Sequence, residues 1–210
     1  LEQYFALCRQ HETLIIADEV MTGFGRTGPL FASSTVATAP DIICLSKGIT
    51  GGAVPLGVTA ATQKIFDAFY HTDRTKMLYH GHSFTANATV CAAALASMDL
   101  LLTDTCTTDR QRIADSHAAF AQHIKSHTAL ADIRQTGTII AIEIKTDTPS
   151  YHNNMRDVIY RFFLERKIIM RPLGNIIYIL PPYCITGDEL SYIYGCVKEL
   201  LQELQGQVSA

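Results

Sequence analysis

The sequence predicts an α/β protein, and two apolar runs and one change of pattern lead to that prediction. Leu14–Ala17 and Ile42–Leu45 are apolar and too short for helices, which is typical of buried parallel strands. The polar, turn-like stretch Thr103–Asp109 is a candidate boundary, and from Leu130 onward the pattern becomes α+β. A chain of 210 residues can form one large domain or two smaller ones.

The first half is predicted to alternate helices and strands. Tyr4, Phe5, Leu7 and Cys8 share one side of a helix over residues 1–11. The further predicted elements are strands over Leu14–Ala17, Ile42–Leu45 and Val54–Ala61, a short helix over Gln63–Tyr70, a polar loop over His71–Lys76 and a long Ala-rich helix over Thr85–Leu102.

The second half is predicted to mix strands and helices around turns. A turn at Gly174-Asn175 separates two apolar runs, and Thr186 is the predicted cap of the last helix. The predicted elements are a helix over Arg110–His127, a strand over Ile139–Ile144, a helix over Asn153–Arg166, strands over Ile168–Arg171 and Ile176–Leu180, and a closing helix over Gly187–Leu204.

Composition excludes several classes of partner and location. A net charge of −3 leaves no basic footprint for nucleic acid, and no apolar run is long enough for a membrane span. No signal peptide is recognisable, and six scattered cysteines without a C-x-x-C spacing indicate reduced core residues of a cytoplasmic protein. Because the chain opens inside a helix without an initiator Met, we expect it to be the C-terminal part of a longer protein.

Asp18 and Lys47 are the main candidates for chemistry. Each follows an apolar strand, and ligands of open α/β sheets bind beyond the carboxyl ends of the strands. Pyridoxal phosphate requires a Lys in Schiff-base linkage and an acidic partner for its pyridine nitrogen. Two plainer interpretations stay open, since Asp18 could cap the following loop and Lys47 could be a solvated surface amine. The Gly-rich loop 22–28 is either a weak phosphate cradle or an ordinary loop.

Two further sites could bind anions. Ser83 and Thr85 precede the predicted long helix, where free N–H groups attract phosphate, although either could be only an N-cap. Arg171 lies in an apolar run before a Pro, so we expect a buried Arg on extended backbone. Its partner would be a substrate carboxylate or an internal Asp or Glu. His80 and His82 do not have the spacing of a metal site, and no G-x-S-x-G motif is present.

Taken together, these segments resemble the class III pyridoxal-phosphate-dependent aminotransferases of fold type I. The matching segments are ADEVMTGFGRTG, LSKGITGG, HGHSFTANATVCAAALAS and MRPLGNIIYILPPY. HGHSF and RPLGNIIYILPPYCI favour the biotin-synthesis branch. The resemblance implies that residues 1–104 belong to a large domain with a mostly parallel sheet, and that residues 105–210 form a small C-terminal α+β domain.

The resemblance also implies cofactor roles. Asp18 would pair with the pyridinium nitrogen, and Val20 would pack against the ring. Lys47 would hold the cofactor and move a proton between it and the substrate. His82 and Ser83 would bind the phosphate, in a segment that reaches across a dimer interface in this family.

For the substrate, the resemblance implies that Gly81 lies against it and that Arg171 holds its carboxylate. The implied reaction transfers an amino group from S-adenosylmethionine to 8-amino-7-oxononanoate in a cytoplasmic homodimer. Met21 departs from the family, because many relatives carry a Gln there that contacts the cofactor ring oxygen. Two alternatives stay open: another ω-amino acid or diamine aminotransferase, and a non-catalytic α/β module. Because family contacts lie upstream of Leu1, we expect the 210 residues alone to be inactive.

Overall fold

The computed structural model describes residues 1–146 and 155–208, and the chain divides into two compact units, Leu1–Thr107 and Thr108–Ala210. The side chains of residues 206–208 are not described. Asn153 and Asn154, the predicted start of a helix, lie outside the described residues. The predicted domain division between residues 104 and 105 stays a prediction.

The first unit is built on a three-stranded sheet with the order β1-β2-β3. β1 and β2 are parallel, with Asp18 opposite Cys44, whereas β2 and β3 are antiparallel, so this part of the sheet is mixed. The elements are α1 (Glu2–Gln10), β1 (Ile16–Asp18), β2 (Ile42–Leu45), β3 (Val58–Ala61), α2 (Gln63–Phe69) and α3 (Ala88–Leu101), with 3₁₀ turns over Ala32–Thr35, Lys47–Thr50 and Arg74–Lys76.

Three predicted features of the first unit were wrong in detail. On α1 only Phe5 is buried, and Tyr4 and Leu7 are exposed. β3 begins at Val58 rather than Val54, because Pro55 and Gly57 interrupt the run. The long helix begins at Ala88, not Thr85, since Asn87 caps it by accepting hydrogen bonds from the N–H groups of Thr89 and Val90.

The second unit packs helices on an antiparallel sheet with the order β4-β5-β6. The alternation of β5 buries Ile140, Ile142 and Ile144 in one continuous hydrophobic core. The elements are α4 (Asp104–Ile124, which begins at the end of the first unit), β4 (Leu130–Thr136), β5 (Ile139–Ile144), α5 (Met155–Glu165), β6 (Ile176–Ile179) and α6 (Gly187–Val208).

The second unit differs from prediction at two strands. β4 was missed because its sequence, LADIRQT, is mostly polar and only Leu130 is fully buried. The predicted strand over Ile168–Arg171 is absent: this stretch has no regular secondary structure and joins no ladder. Pro172 has no N–H to donate, and a single bridge between Leu173 and Ile176 is the nearest pairing.

Helix α6 starts with a reciprocal cap. The Thr186 hydroxyl accepts a hydrogen bond from the N–H of Glu189 (3.2 Å), and the Glu189 carboxylate accepts from the N–H of Thr186 (2.8 Å). These bonds satisfy N–H groups that the first turn of a helix leaves free. Thr186 is therefore the cap, as predicted.

His117 is completely buried between α4, α6 and the β4–β5 turn. Its Nε2–H donates to the carbonyl of Thr138 (3.2 Å), which can only accept, so Nδ1 accepts from the Tyr194 hydroxyl (2.6 Å). Burial lowers the pKa of His117 to about 4, despite the opposing effect of the Thr138 carbonyl. The ring is therefore neutral at physiological pH.

The cysteines are free, but they are not uniformly core residues. Cys196 is buried, Cys44 is half-buried and Cys91 and Cys184 are exposed, so the core assignment was wrong for the exposed pair. No single helix among the described residues is both long and apolar enough to cross a bilayer. The consecutive helices α3 and α4, which are bent at their junction, meet that requirement only when counted together.

Candidate functional site

The parallel pairing of β1 and β2 brings Asp18 and Lys47 to one edge of the sheet. Asp18, the last residue of β1, lies opposite Cys44, and Lys47 follows Cys44 by three residues. The N–H of Glu19 donates to the carbonyl of Cys44 (2.9 Å), which closes the two strand ends against each other. The carboxylate and the amine therefore come from the same carboxyl edge of adjacent parallel strands.

The Asp18 carboxylate is exposed, and only one of its two oxygens accepts a hydrogen bond from a described residue. Its Oδ1 accepts a hydrogen bond from the N–H of Val20 (3.0 Å), so the capping interpretation is correct for this oxygen. The other oxygen, Oδ2, has no hydrogen-bond partner among the described residues. One oxygen therefore remains available for a ligand.

Lys47 stands on strained backbone at the start of a 3₁₀ turn. Its φ is 48°, in the left-handed region that non-Gly residues avoid, and such strain clusters at functional sites. The hydroxyl of the preceding Ser46 donates to the carbonyl of Leu56 (2.6 Å), which anchors the turn. The Lys47 side chain is exposed, and its amine has no hydrogen bond or ion pair within the described part of the chain.

Lys47 opens into a mainly apolar cleft of about 1760 Å³ within the first unit. His82 lines the same cleft, so the structure brings these two predicted residues together. Asp18, Val20, Gly81 and Ser83 do not line it. Aromatic and aliphatic side chains form much of its wall, including Phe66, Phe69, Tyr70, Met77, Leu78 and Phe84.

The segment containing His82 and Ser83 is an exposed turn rather than a helix start. The Thr85 hydroxyl accepts from the N–H of His82 (3.0 Å), and His82 Nδ1 accepts from the N–H of Phe84 (3.1 Å). Because Asn87 occupies the first N–H groups of α3, neither Ser83 nor Thr85 is the N-cap. The Ser83 hydroxyl lies before the helix on a solvent-exposed turn.

Arg171 belongs to the second unit and is exposed, contrary to the expectation of a buried Arg. Exposure alternates along this stretch, because Ile169 is 89% exposed, Met170 is 7% exposed and Arg171 is again exposed. Its guanidinium forms no hydrogen bond or ion pair with any residue that the structure describes, so the predicted internal salt bridge is not found. The group is free to take an external anion.

The sequence interpretation missed Glu19, which follows Asp18 directly. Glu19 is 2% exposed and accepts hydrogen bonds from the loop that follows β1. A carboxylate between an apolar strand and a Gly-rich loop is a signal in the sequence. The adjacent Asp18 was chosen as the candidate carboxylate instead of Glu19.

The donor set fits pyridoxal phosphate. A carboxylate with a free oxygen and an amine without a partner stand at adjacent strand ends, which are the two groups that this cofactor requires. No group of three His, Cys, Asp or Glu residues in the described ranges is arranged to hold a metal ion. The carboxylate and the amine suit an organic cofactor with one carbonyl and one basic ring nitrogen.

Comparison with known proteins assigns the family. Residues 1–201 match the aminotransferase class-III family. An adenosylmethionine-8-amino-7-oxononanoate aminotransferase of Synechococcus elongatus is 42% identical over 204 residues, which cover 97% of this chain and 48% of the relative. The enzyme of the same name from Geobacter sulfurreducens is 39% identical over 209 residues, covering 95% of this chain and 46% of the relative.

Solved structures agree with this assignment. The crystal structure of the enzyme of that name from Methanocaldococcus jannaschii superposes with a TM-score of 0.88 at 32% identity, covering 96% of this chain and 48% of that one. An omega-transaminase from Thermomicrobium roseum gives a TM-score of 0.84 at 28% identity, covering 95% and 45%. This chain thus spans about half the length of the relatives it matches. Its fold is that of fold type I, and the chain belongs to the class III aminotransferases.

Proposed function

We propose that the full-length protein containing this chain transfers an amino group from S-adenosylmethionine to 8-amino-7-oxononanoate, using pyridoxal phosphate. The observation that carries the proposal is the parallel pairing of β1 and β2, in which Asp18 ends β1 and Lys47 follows β2 at the same edge of the sheet. It occurs in a chain that is 42% identical to a relative named for this reaction.

Asp18 and Val20 would hold the cofactor ring. When bound, pyridoxal phosphate supplies a ring that accepts electrons from the substrate carbon. The free oxygen of Asp18 would keep the ring nitrogen protonated, and the N–H of Val20 already fixes the other oxygen at 3.0 Å. The half-buried Val20 side chain would pack against the ring.

Lys47 would anchor the cofactor and move the proton on which the reaction depends. Its amine is exposed to the cleft and has no competing partner among the described residues, so it is free to react. A proton moved by a positioned side chain contributes about 10²- to 10⁴-fold to a rate. Lys47 is the catalytic residue of the proposal.

The remaining proposed roles concern anions and the substrate. His82 and Ser83 would bind the phosphate, and their exposed turn leaves both side chains accessible. Gly81 would lie against the substrate. Arg171 would hold the substrate carboxylate through paired, charge-assisted hydrogen bonds, which its exposed guanidinium is free to make.

The proposal extends to the assembly. Residues 1–104 would be part of a large domain and residues 105–210 a small one, in a cytoplasmic homodimer. Support comes from the apolar surface of the first unit, where Tyr70 is 76% exposed and Phe84 is 74% exposed. Such surfaces mark interaction sites, so we propose that the rest of the protein and a second copy cover them.

Another class III activity is the second candidate. Omega-transaminases are among the structural neighbours at 28% identity, and an exposed Arg171 suits any carboxylate substrate. The two candidates differ in the amino donor, which is a sulfonium amino acid in the first and a plain ω-amine in the second.

The test uses the full-length protein loaded with pyridoxal phosphate. The visible absorption band of the bound cofactor is followed while S-adenosylmethionine is added, with an ω-amino acid in a parallel sample. We expect loss of the band with S-adenosylmethionine only. Loss with the ω-amino acid only would transfer the proposal to the second candidate, and a band that neither donor changes would contradict both.

A further inference from the structure

Glu19 is a buried carboxylate directly beside the exposed Asp18. It is 2% exposed and pairs with no cation among the described residues. Three donors surround it instead: the Thr22 hydroxyl, the N–H of Ala32 (3.2 Å) and the N–H of Ser33 (2.6 Å). Burial tends to raise the pKa of Glu19, but these hydrogen bonds outweigh it and hold the pKa below its ordinary value. The buried group is therefore an ionised acceptor.

The backbone of Glu19 extends the same set of contacts. Its N–H donates to the carbonyl of Cys44 on β2 (2.9 Å), and its carbonyl accepts from the N–H of Gly23 (3.0 Å). The side chain holds residues 32 and 33 at the far end of the loop. One residue therefore fixes both ends of the segment 20–31 to the β1–β2 pair.

That segment carries Phe24 onto the residue after Lys47. Phe24 is 4% exposed and adopts a φ of 60°. A Cβ atom added to Gly48 would lie 2.7 Å from a carbon of the Phe24 ring, so the ring contacts the Gly48 backbone where a side chain would otherwise be. Phe31 packs edge-on against Phe24, with 5.6 Å between the ring centroids. Contacts thus run from Glu19 through the loop to the neighbour of Lys47.

We propose that Glu19 is a positioning residue that sets Lys47 and Val20 relative to Asp18 through the loop 20–31. The inference rests on the proposed function, because it concerns the residues that would hold the cofactor. The Glu19 carboxylate does not contact the reacting groups itself. It acts through the hydrogen bonds to the loop and through the Phe24 ring on Gly48.

Asp41 supplies a matched control in the same sheet. It is also a buried carboxylate, 8% exposed. It accepts a hydrogen bond from the N–H of Ile15 (2.8 Å) and forms an ion pair with Arg9. It precedes β2, at the opposite end of the strand from Lys47. Asp41→Asn should therefore lower stability, as we also expect of Glu19→Gln, without disturbing the edge that carries Asp18.

The experiment compares the full-length wild type with Glu19→Gln, Phe24→Leu and Asp41→Asn. Three quantities are measured: the midpoint of the pH titration of the bound-cofactor absorption band, the dissociation constant for pyridoxal phosphate, and the thermal unfolding midpoint. Glu19→Gln replaces one of the two accepting oxygens by an amide N–H₂ and removes the charge, so it breaks part of the contact without changing the size of the side chain. Phe24→Leu keeps every charge and removes only the ring that contacts Gly48.

We expect both loop variants to shift the titration midpoint by about one pH unit, which is a tenfold change in proton affinity. We also expect them to weaken cofactor binding about tenfold, equivalent to about 1.4 kcal/mol. Asp41→Asn should lower the unfolding midpoint and leave the titration in place. The Phe24→Leu result is decisive, because removal of the Glu19 charge could by itself move the titration.

A titration that shifts in Glu19→Gln but not in Phe24→Leu would overturn positioning in favour of a direct charge effect. Loop variants that behave like Asp41→Asn would reduce Glu19 to a stabilising residue. If Glu19→Gln does not fold, Phe24→Leu alone decides between these outcomes. A wild type that takes up no pyridoxal phosphate would instead refute the proposed function, which keeps the two failures distinguishable.

Discussion

The two units of this chain place their apolar side chains in opposite ways. Among the described residues, the second unit buries twenty apolar residues in one continuous core, whereas the first buries six. Of the twenty-two large apolar side chains that are exposed in the described part of the chain, seventeen lie in the first unit and five in the second. Within the ranges that the structure describes, the first unit also contains four of the five non-Gly residues with positive φ, including Lys47.

This difference indicates that the second unit is the better packed of the two, whereas the first unit carries the candidate catalytic groups. A unit with a closed core can hold its shape through its own packing, because burial of apolar surface is the dominant favourable term in folding. A unit with open apolar surface instead exposes the kind of patch that marks an interaction site. The candidate catalytic groups, Asp18 and Lys47, lie in the first unit, which has the open apolar surface. Arg171 is an exposed group on the second unit, which has the closed core.

The largest expected effect is on catalysis in the first unit. In the full-length protein Lys47→Ala should lower the turnover number at least about 10³-fold, because the variant loses the amine that we propose both anchors the cofactor and carries the proton. The matched control is Lys125→Ala, an exposed lysine of the second unit, which should retain wild-type turnover. Steady-state kinetics with S-adenosylmethionine measures both, and a Lys47→Ala enzyme that still turns over would remove Lys47 from the mechanism.

The next effect compares the same substitution in the two units. Phe163→Ala removes a fully buried ring from the core of the second unit and should cost about 3–5 kcal/mol. Phe5→Ala in α1 should cost less, because its neighbours Tyr4 and Leu7 are already exposed. Peptide-resolved hydrogen exchange of the full-length protein measures each loss locally. Equal losses would show that the first unit is as well packed as the second.

The buried His117 should make the second unit sensitive to acid. Unfolding lets the imidazole take up a proton below its ordinary pKa of 6.5, whereas the folded pKa is about 4. Stability is therefore complete above pH 6.5 and falls as the pH drops toward 4, by a total of about 3 kcal/mol. Hydrogen exchange of α4 peptides between pH 7 and 4.5 follows this fall. His117→Gln should flatten this pH dependence of stability. His123→Gln, an exposed control on α4, should leave it unchanged. An unchanged slope in His117→Gln would show that His117 does not cause the acid sensitivity.

Arg171 tests whether the second unit contributes to substrate binding. Arg171→Ala should raise KM for a carboxylate substrate about tenfold, since hydrogen bonds to charged groups contribute about 1.5–3 kcal/mol. The unfolding midpoint should not move, because the side chain is exposed and has no partner among the described residues. Arg171→Lys should recover part of the loss. A KM unaffected in Arg171→Ala would assign the carboxylate to another residue.

The smallest expected effect is at the cap of α6. Thr186→Ala removes the hydroxyl that accepts from the N–H of Glu189 and should cost about 1 kcal/mol. Thr186→Ser keeps the hydroxyl and should retain most of the stability. Chemical denaturation monitored at α6 measures the difference, and identical curves for the two variants would show that the cap contributes nothing.

The sequence predicted the elements that carry strong local signals. Ile42–Leu45 and Ile139–Ile144 were predicted with the bounds that the structure shows, because their apolar content and alternation are clear. β4 was missed because pairing with β5, rather than its own polar sequence, makes it a strand. Ile168–Arg171 was wrongly predicted to be a strand. Its apolar content does not show whether a neighbouring strand is available to pair with it.

The candidate site could be predicted only in part for the same reason. Asp18 and Lys47 follow recognisable strands, and parallel pairing places them at one edge. The roles assigned to Val20, Gly81, His82, Ser83 and Arg171 came from resemblance and stay predictions. Glu19 was not predicted, because its role depends on which backbone N–H groups of the loop donate to its carboxylate. That arrangement is a property of the folded loop.

The positive φ of Lys47 has a consequence for laboratory evolution of this protein. A non-Gly residue in the left-handed region costs about 1–2 kcal/mol, so Lys47→Gly would relieve that cost and stabilise the turn. A library selected for heat resistance alone would thus enrich variants that have lost the amine to which we assign the chemistry. Selection for thermostability in this protein therefore needs a simultaneous screen for the proposed activity.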